Sequence, residues 1–105
     1  MSRAFVTQEN PNFDYSPVEK YGEPVFVTAS DFSGSSNSLF NEDLMKIIRA
    51  MMDKFDVDSD YLVPSGSPLV TSFCIAALKE RGVSRFPILR WSNRDRDYRP
   101  VTINF

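Results

Sequence analysis

Residues 61–82 read YLVPSGSPLVTSFCIAALKERG, and they carry the boundary signals of a strand, a turn and a helix in succession. Tyr61-Leu62-Val63 is a short β-prone run. Ser67 stands where an N-cap hydroxyl can accept a backbone amide. Pro68 occupies the first helical position, where its missing N–H costs nothing, and Gly82 follows the last turn, where a left-handed residue closes a helix. The spacing predicts a helix over about 68–81. Leu69, Val70, Phe73, Cys74, Ile75, Ala76, Ala77 and Leu78 leave almost no polar face before Lys79-Glu80-Arg81. Such a helix is expected to press on a sheet and to be covered from outside as well, by the proline-rich segment upstream or by a second subunit.

Upstream, Pro24-Val25-Phe26-Val27-Thr28-Ala29 is a continuous apolar run, as in a strand buried on both faces, and it reads as the sheet centre. The Ser/Gly-rich loop 30–38 follows, with Ser36 and Ser38 as N-cap candidates for the next helix. Phe40, Leu44, Ile47, Ile48, Met51 and Phe55 recur at spacings of three and four, predicting one buried stripe on a helix over 39–56, with Met45 and Met52 off that stripe. Ala4 to Gln8 is a β-prone run expected to add an edge. Residues 9–24 hold three prolines among Phe13, Tyr15 and Tyr21, the composition of an irregular strap pinned to the core by its aromatics.

Downstream, Phe86 to Trp91 and Arg99 to Phe105 read as strands joined by a polar turn. That hairpin sets Trp91 opposite Tyr98, and Pro87 and Pro100, lacking amide donors, place it near a sheet edge. The chain is thus expected to be a single α/β domain, 1–105: a small Rossmann-like βαβαβ sheet with two main helices and a C-terminal antiparallel hairpin.

Composition narrows the chemistry. With 105 residues there is room for one core, and with one cysteine no internal disulfide is possible. The absence of histidine removes every Ser-His and Cys-His catalyst and most zinc sites. No apolar run approaches the ~20 residues that span a bilayer, so a soluble, cytoplasmic protein without membrane contact is expected. Net charge is −2, yet residues 9–60 hold eleven acids against four bases and residues 79–105 seven bases against three acids. That asymmetry fits pairing within or between chains, or an anion-binding face.

Three places invite a chemical reading. Asp56-Val57-Asp58-Ser59-Asp60 opens like a calcium loop, but Tyr61 replaces the required glycine and Ser67 the bidentate glutamate, so no metal is expected. The loops after the two parallel strands, with Ser30, Asp31, Ser33, Gly34 and Ser35 in one and Ser65, Gly66 and Ser67 in the other, open helices on one rim, where a nucleotide phosphate or carboxylate could sit. Capping and turn roles account for the same residues. In the C-terminal hairpin Arg90, Arg94, Arg96 and Arg99 interleave with Trp91 and Tyr98, a mixture suited to nucleic acid, diluted by Asp95 and Asp97. No serine of the rim has an activating base, no catalytic residue is assigned and no cofactor is expected.

Asp60 to Pro68, the apolar helix, Ile88-Leu89-Arg90-Trp91 and Tyr98-Arg99-Pro100-Val101 together resemble small uncharacterised proteins encoded by bacteriophages and prophages, over about residues 60–103. The resemblance implies a viral accessory protein, in the host cytoplasm, and carries no functional residues with it. The expected function is binding of a protein partner or of itself, as a homodimer, without catalysis. The alternatives are a nucleotide or phosphate ligand on the serine-rich rim and weak nucleic-acid binding by the hairpin.

Overall fold

The computed structural model describes residues 2–34 and 38–105. Among the described residues five strands form one sheet: β1 (Arg3–Gln8), β2 (Glu23–Thr28), β3 (Tyr61–Val63), β4 (Arg85–Ser92) and β5 (Asp97–Asn104). Their order is β2-β1-β3-β4-β5, parallel from β2 to β4 and antiparallel at the β4–β5 hairpin. Helix α1 (Leu39–Asp53) joins β2 to β3, and α2 (Pro68–Glu80) joins β3 to β4. The mixed α/β architecture is the expected one, and no helix among the described residues is long and apolar enough to cross a membrane.

The strand order corrects one expectation. β2 is an edge strand and β1 lies inside the sheet, between β2 and β3. Residues Ala4 to Thr7 are all buried, whereas β2 opens with exposed Glu23 and with Pro24, which cannot donate to a ladder on its ring side. The chain returns from β1 to parallel β2 through the strap alone, with a single 3-10 turn at Ser16–Val18 in place of a helix.

The sheet therefore has two different coats. On one face Leu44, Ile48 and Met52 of α1 and Val70, Cys74, Ala77 and Leu78 of α2 pack with Phe5, Leu62 and Phe86. On the other, Tyr15 and Val18 of the strap, flanked by Phe13 and Tyr21, pack with Ala4, Val6, Val63, Leu89 and Tyr98. The strap is pinned by its aromatics as expected, but it lies across the sheet from α2 and cannot be that helix's outer cover. On α1 the expected single stripe divides: Met52 is buried, while Phe40 and Ile47 are about half exposed. The sheet contacts only one narrow arc of α1, and α2 flanks it on one side. Its cap is Ser38, whose hydroxyl accepts the Asn41 amide; the other candidate, Ser36, lies outside the described residues.

Asp60 closes the bottom of the sheet. Its buried carboxylate accepts the Arg3 amide at 2.9 Å, the Arg3 guanidinium at 3.0 Å and the Asp56 amide at 2.8 Å. A carboxylate so fully engaged by its own chain satisfies the burial of its charge.

Candidate functional site

In a sheet of this order β1 and β3 are neighbours whose chains leave in opposite directions, and the crevice beyond their carboxyl ends is the usual ligand position. Here that crevice is filled from within. Thr7 Oγ1 accepts the Ser65 amide at 2.9 Å and lies 2.9 Å from Thr71 Oγ1. Gln8 Oε1 accepts the Ser67 amide at 2.6 Å, while Gln8 Nε2 donates to the Ser30 carbonyl at 3.0 Å. The Tyr15 hydroxyl meets Ser65 Oγ at 2.7 Å. Ser67 Oγ faces the Val70 amide as the N-cap of α2, and Gly66, at φ +71°, passes directly over the Gln8 side chain.

The second rim loop is also bound up in itself. Asp31 accepts the Phe32 amide at 2.7 Å, and Ser33 exchanges two hydrogen bonds with the Asn41 side chain, at 2.7 and 3.0 Å. Gly34 is exposed, and Ser35 lies outside the described residues. The two loops do share a rim, joined by Gln8, but the Ser65 and Ser67 amides that would grip an anion already hold side chains of β1. Gln8 was absent from the sequence-derived site because its position beside Ser67 depends on a strand pairing between residues far apart in the chain.

The hairpin separates the two halves of the nucleic-acid motif. Trp91 and Tyr98 are cross-strand partners with ring centroids 5.0 Å apart, and Trp91 also meets Phe13 edge-on at 5.4 Å. Tyr98 is buried, and burial, reinforced by Tyr15, pushes its phenol up to about 12. Arg90 and Arg99 are also partners, one residue further along each strand, so alternation turns them to the opposite face. Arg99 is held by Asp95 at 2.7 Å, Asp97 is paired with Lys20, and Arg94 and Arg96 stand exposed in the turn. The Lys20 ammonium, and then the Tyr98 amide, hold the Asp97 carboxyl below its ordinary range. The aromatic rings are thus engaged in packing, away from the arginines they would accompany.

A third surface was not marked by the sequence. α1 lies over β2 and α2 over β1, and the helix-side core reaches Phe86 of β4, with Ile88 and Ile103 packed half-buried at its margin, so the helix layer thins towards the far end of the sheet. There Ile88 pairs with Val101 and Phe86 with Ile103, all on the helix-side face by alternation. Phe86 is roofed by Phe105, whose ring lies 4.7 Å from the Lys79 ammonium. Beyond it Pro64, Ile88, Val101 and Ile103 line an open cavity of about 280 Å³ bordered by Arg90. Val101 is 41% exposed. The signal for this surface was a count: two helices for five strands, with Val101, Ile103 and Phe105 alternating in the last one.

A family model described as Phage Pam3 gp32-like protein matches residues 2–105. The chain belongs to that family. The likeness to phage-encoded proteins seen over residues 60–103 therefore extends across nearly all of it. No curated protein and no solved structure matches the chain. Within this Pam3 gp32-like fold, chemistry at Cys74 is blocked: the side chain is fully buried and burial pushes its thiol up to about 12. Asp56, Asp58 and Asp60 do not converge, and no cluster of three metal-ligating side chains exists among the described residues.

Proposed function

We propose that this phage-encoded protein is a non-enzymatic accessory protein that binds protein through the thinly covered β4–β5 half-face. What supports the reading is the unequal coating of the sheet. The strap face is closed by aromatics, whereas the helix face leaves Ile88 and Ile103 half-buried at its margin and Val101 exposed. A contiguous apolar patch with a basic rim is the ordinary form of a protein-binding surface. The serine-rich rim, with amides already engaged by Thr7 and Gln8, and the hairpin, with Trp91 packed between Phe13 and Tyr98, offer less to a small ligand or a nucleobase.

A photo-crosslinking residue at position 101, compared with one at exposed Glu19 on the strap side, tests this in infected cells. Protein adducts formed from position 101 and not from position 19 are expected. Adducts from neither, together with a thermal shift produced by a nucleotide or sugar phosphate, would overturn the reading. A ligand at 100 times its dissociation constant adds ~2.7 kcal/mol of stability, so occupancy of the rim would be visible.

A further inference from the structure

Resting on that reading, the structure also points to the occupant: we infer that the β4–β5 half-face receives the outer stripe of α1 from a second copy of the same chain, head to tail. The half-face is the thinly covered margin of the helix layer, with Val101 exposed and Ile88 and Ile103 half-buried. An amphipathic helix with an apolar stripe and an acidic flank suits it, because the Arg90 side chain at its border has no ion-pair or hydrogen-bond partner among the described residues.

Each chain carries such a helix. The α1 face turned from the core presents Leu39, Phe40 and Ile47, 76%, 50% and 49% exposed, with exposed Glu42, Asp43 and Lys46 among them, two acids against one base. Phe40, Asp43 and Ile47 follow one another at spacings of three and four, so they form a single outward stripe.

The ion pairs of the molecule point the same way. Lys20–Asp97 and Arg49–Glu80 join the first charge block to the last, but in each the base comes from the acid-rich block and the acid from the base-rich block. The remaining pairs are Arg3–Asp60 and Arg99–Asp95. Among the described residues no ion pair joins an acid of 9–60 to a base of 79–105, so, apart from Asp60, paired with Arg3, and Arg99, paired with Asp95, the majority charges of the two blocks have no ion-pair partner within the chain. A two-fold contact of half-face on half-face would bring Arg90 towards its own copy, which like-charge repulsion disfavours. Contact of α1 on half-face sets acid against base. Such an interface is heterologous, using two different patches, and it closes into a ring or continues as a filament.

Sedimentation velocity on the whole chain from about 5 to about 300 μM tests the inference, with Ile47→Glu breaking the helix stripe and Val101→Glu the half-face. Both residues are substantially exposed, and circular dichroism checks that the variants fold; Leu39→Glu and Arg90→Glu replace either one that does not. The wild-type chain is expected to associate beyond a dimer as concentration rises, and each variant alone to associate at least about tenfold more weakly. An equimolar mixture of the two variants is expected to yield a dimer and nothing larger, since one intact stripe then meets one intact half-face. A wild-type monomer across the range, a dimer untouched by Ile47→Glu, or a mixture that stays monomeric would overturn it. A monomeric chain whose position 101 still crosslinks to a different protein would refute this inference and leave the binding function standing.

Discussion

Cys74 and Tyr98 sit on opposite faces of the sheet, and each is held neutral by burial, with its acidity pushed up to about 12. For the thiol the consequence is inertness, because the thiolate is the reactive form. Labelling by a disulfide reagent at pH 8 is expected to be roughly hundredfold slower in the folded protein than in denaturant, a ratio set by the opening equilibrium. The sign of the pH effect follows from the same shifts. Unfolded, these groups ionise near their ordinary values of 9.0 and 10.0; folded, both wait until about 12. Their contribution to stability is whole below pH 9 and declines as pH rises from 9 towards 12, since only the unfolded chain gains by ionising. Urea midpoints at pH 7, 8.5 and 10.5 check this: the first two should coincide closely and the third fall. An unchanged midpoint at pH 10.5 would mean that these side chains are not sequestered from water.

At the scale of elements, Gly66 and Gly82 bracket α2 with the same kind of backbone and different surroundings. Gly66 has φ +71° and Gly82 φ +94°, so any other residue at either place is strained. A Cβ on Gly66 would come within 2.1 Å of Gln8 Oε1 and 3.0 Å of Gln8 Cβ, and displacing that side chain breaks its bonds to Ser67 and Ser30; a Cβ on Gly82 would meet nothing within 4 Å. Gly82→Ala is therefore expected to cost about 1 kcal/mol from backbone strain alone, and Gly66→Ala about 2–3 kcal/mol through lost hydrogen bonds as well. Chemical denaturation of both variants measures the difference, and equal costs would remove Gln8 from its role as closure of the rim. The ends of α2 were legible in the sequence because caps are local: Ser67, Pro68 and Gly82 act within one turn. The Trp91–Tyr98 pairing was legible for a related reason, since a short turn fixes hairpin register. The place of β1 was not, because Ala4 to Gln8 gains its burial from partners some twenty and sixty residues away. Phe40 and Ile47 were misread because periodicity shows which residues share a face of a helix and not how wide an arc the sheet will cover. The rim residues were legible one by one as caps and turns, while the side chain that links their loops, Gln8, and the thinly covered half-face at β4–β5 both follow from strand order.

For the whole molecule, the decisive quantity is how its charge is arranged, since the net value of −2 is small. The acid-rich block supplies β2, α1 and the strap; the base-rich block supplies the end of α2 and the β4–β5 hairpin, at the other side of the sheet. The two ion pairs that join the blocks, Lys20–Asp97 and Arg49–Glu80, neutralise minority charges and preserve the division. A molecule divided in this way is expected to attract its own copies head to tail and to repel them head to head. Salt separates the two arrangements by sign. Screening shortens from about 10 Å at 0.1 M to about 3 Å at 1 M ionic strength, so attraction between exposed unlike charges fades with added salt and repulsion between like charges fades too. Head-to-tail association is expected to weaken severalfold between about 50 and about 500 mM sodium chloride, whereas a contact of half-face on half-face would tighten as Arg90 ceased to repel its copy. Sedimentation at fixed protein concentration across that range reads the sign directly. Association that strengthens with salt would show the apolar half-face paired with itself, and the outer stripe of α1 would then have no part in the assembly.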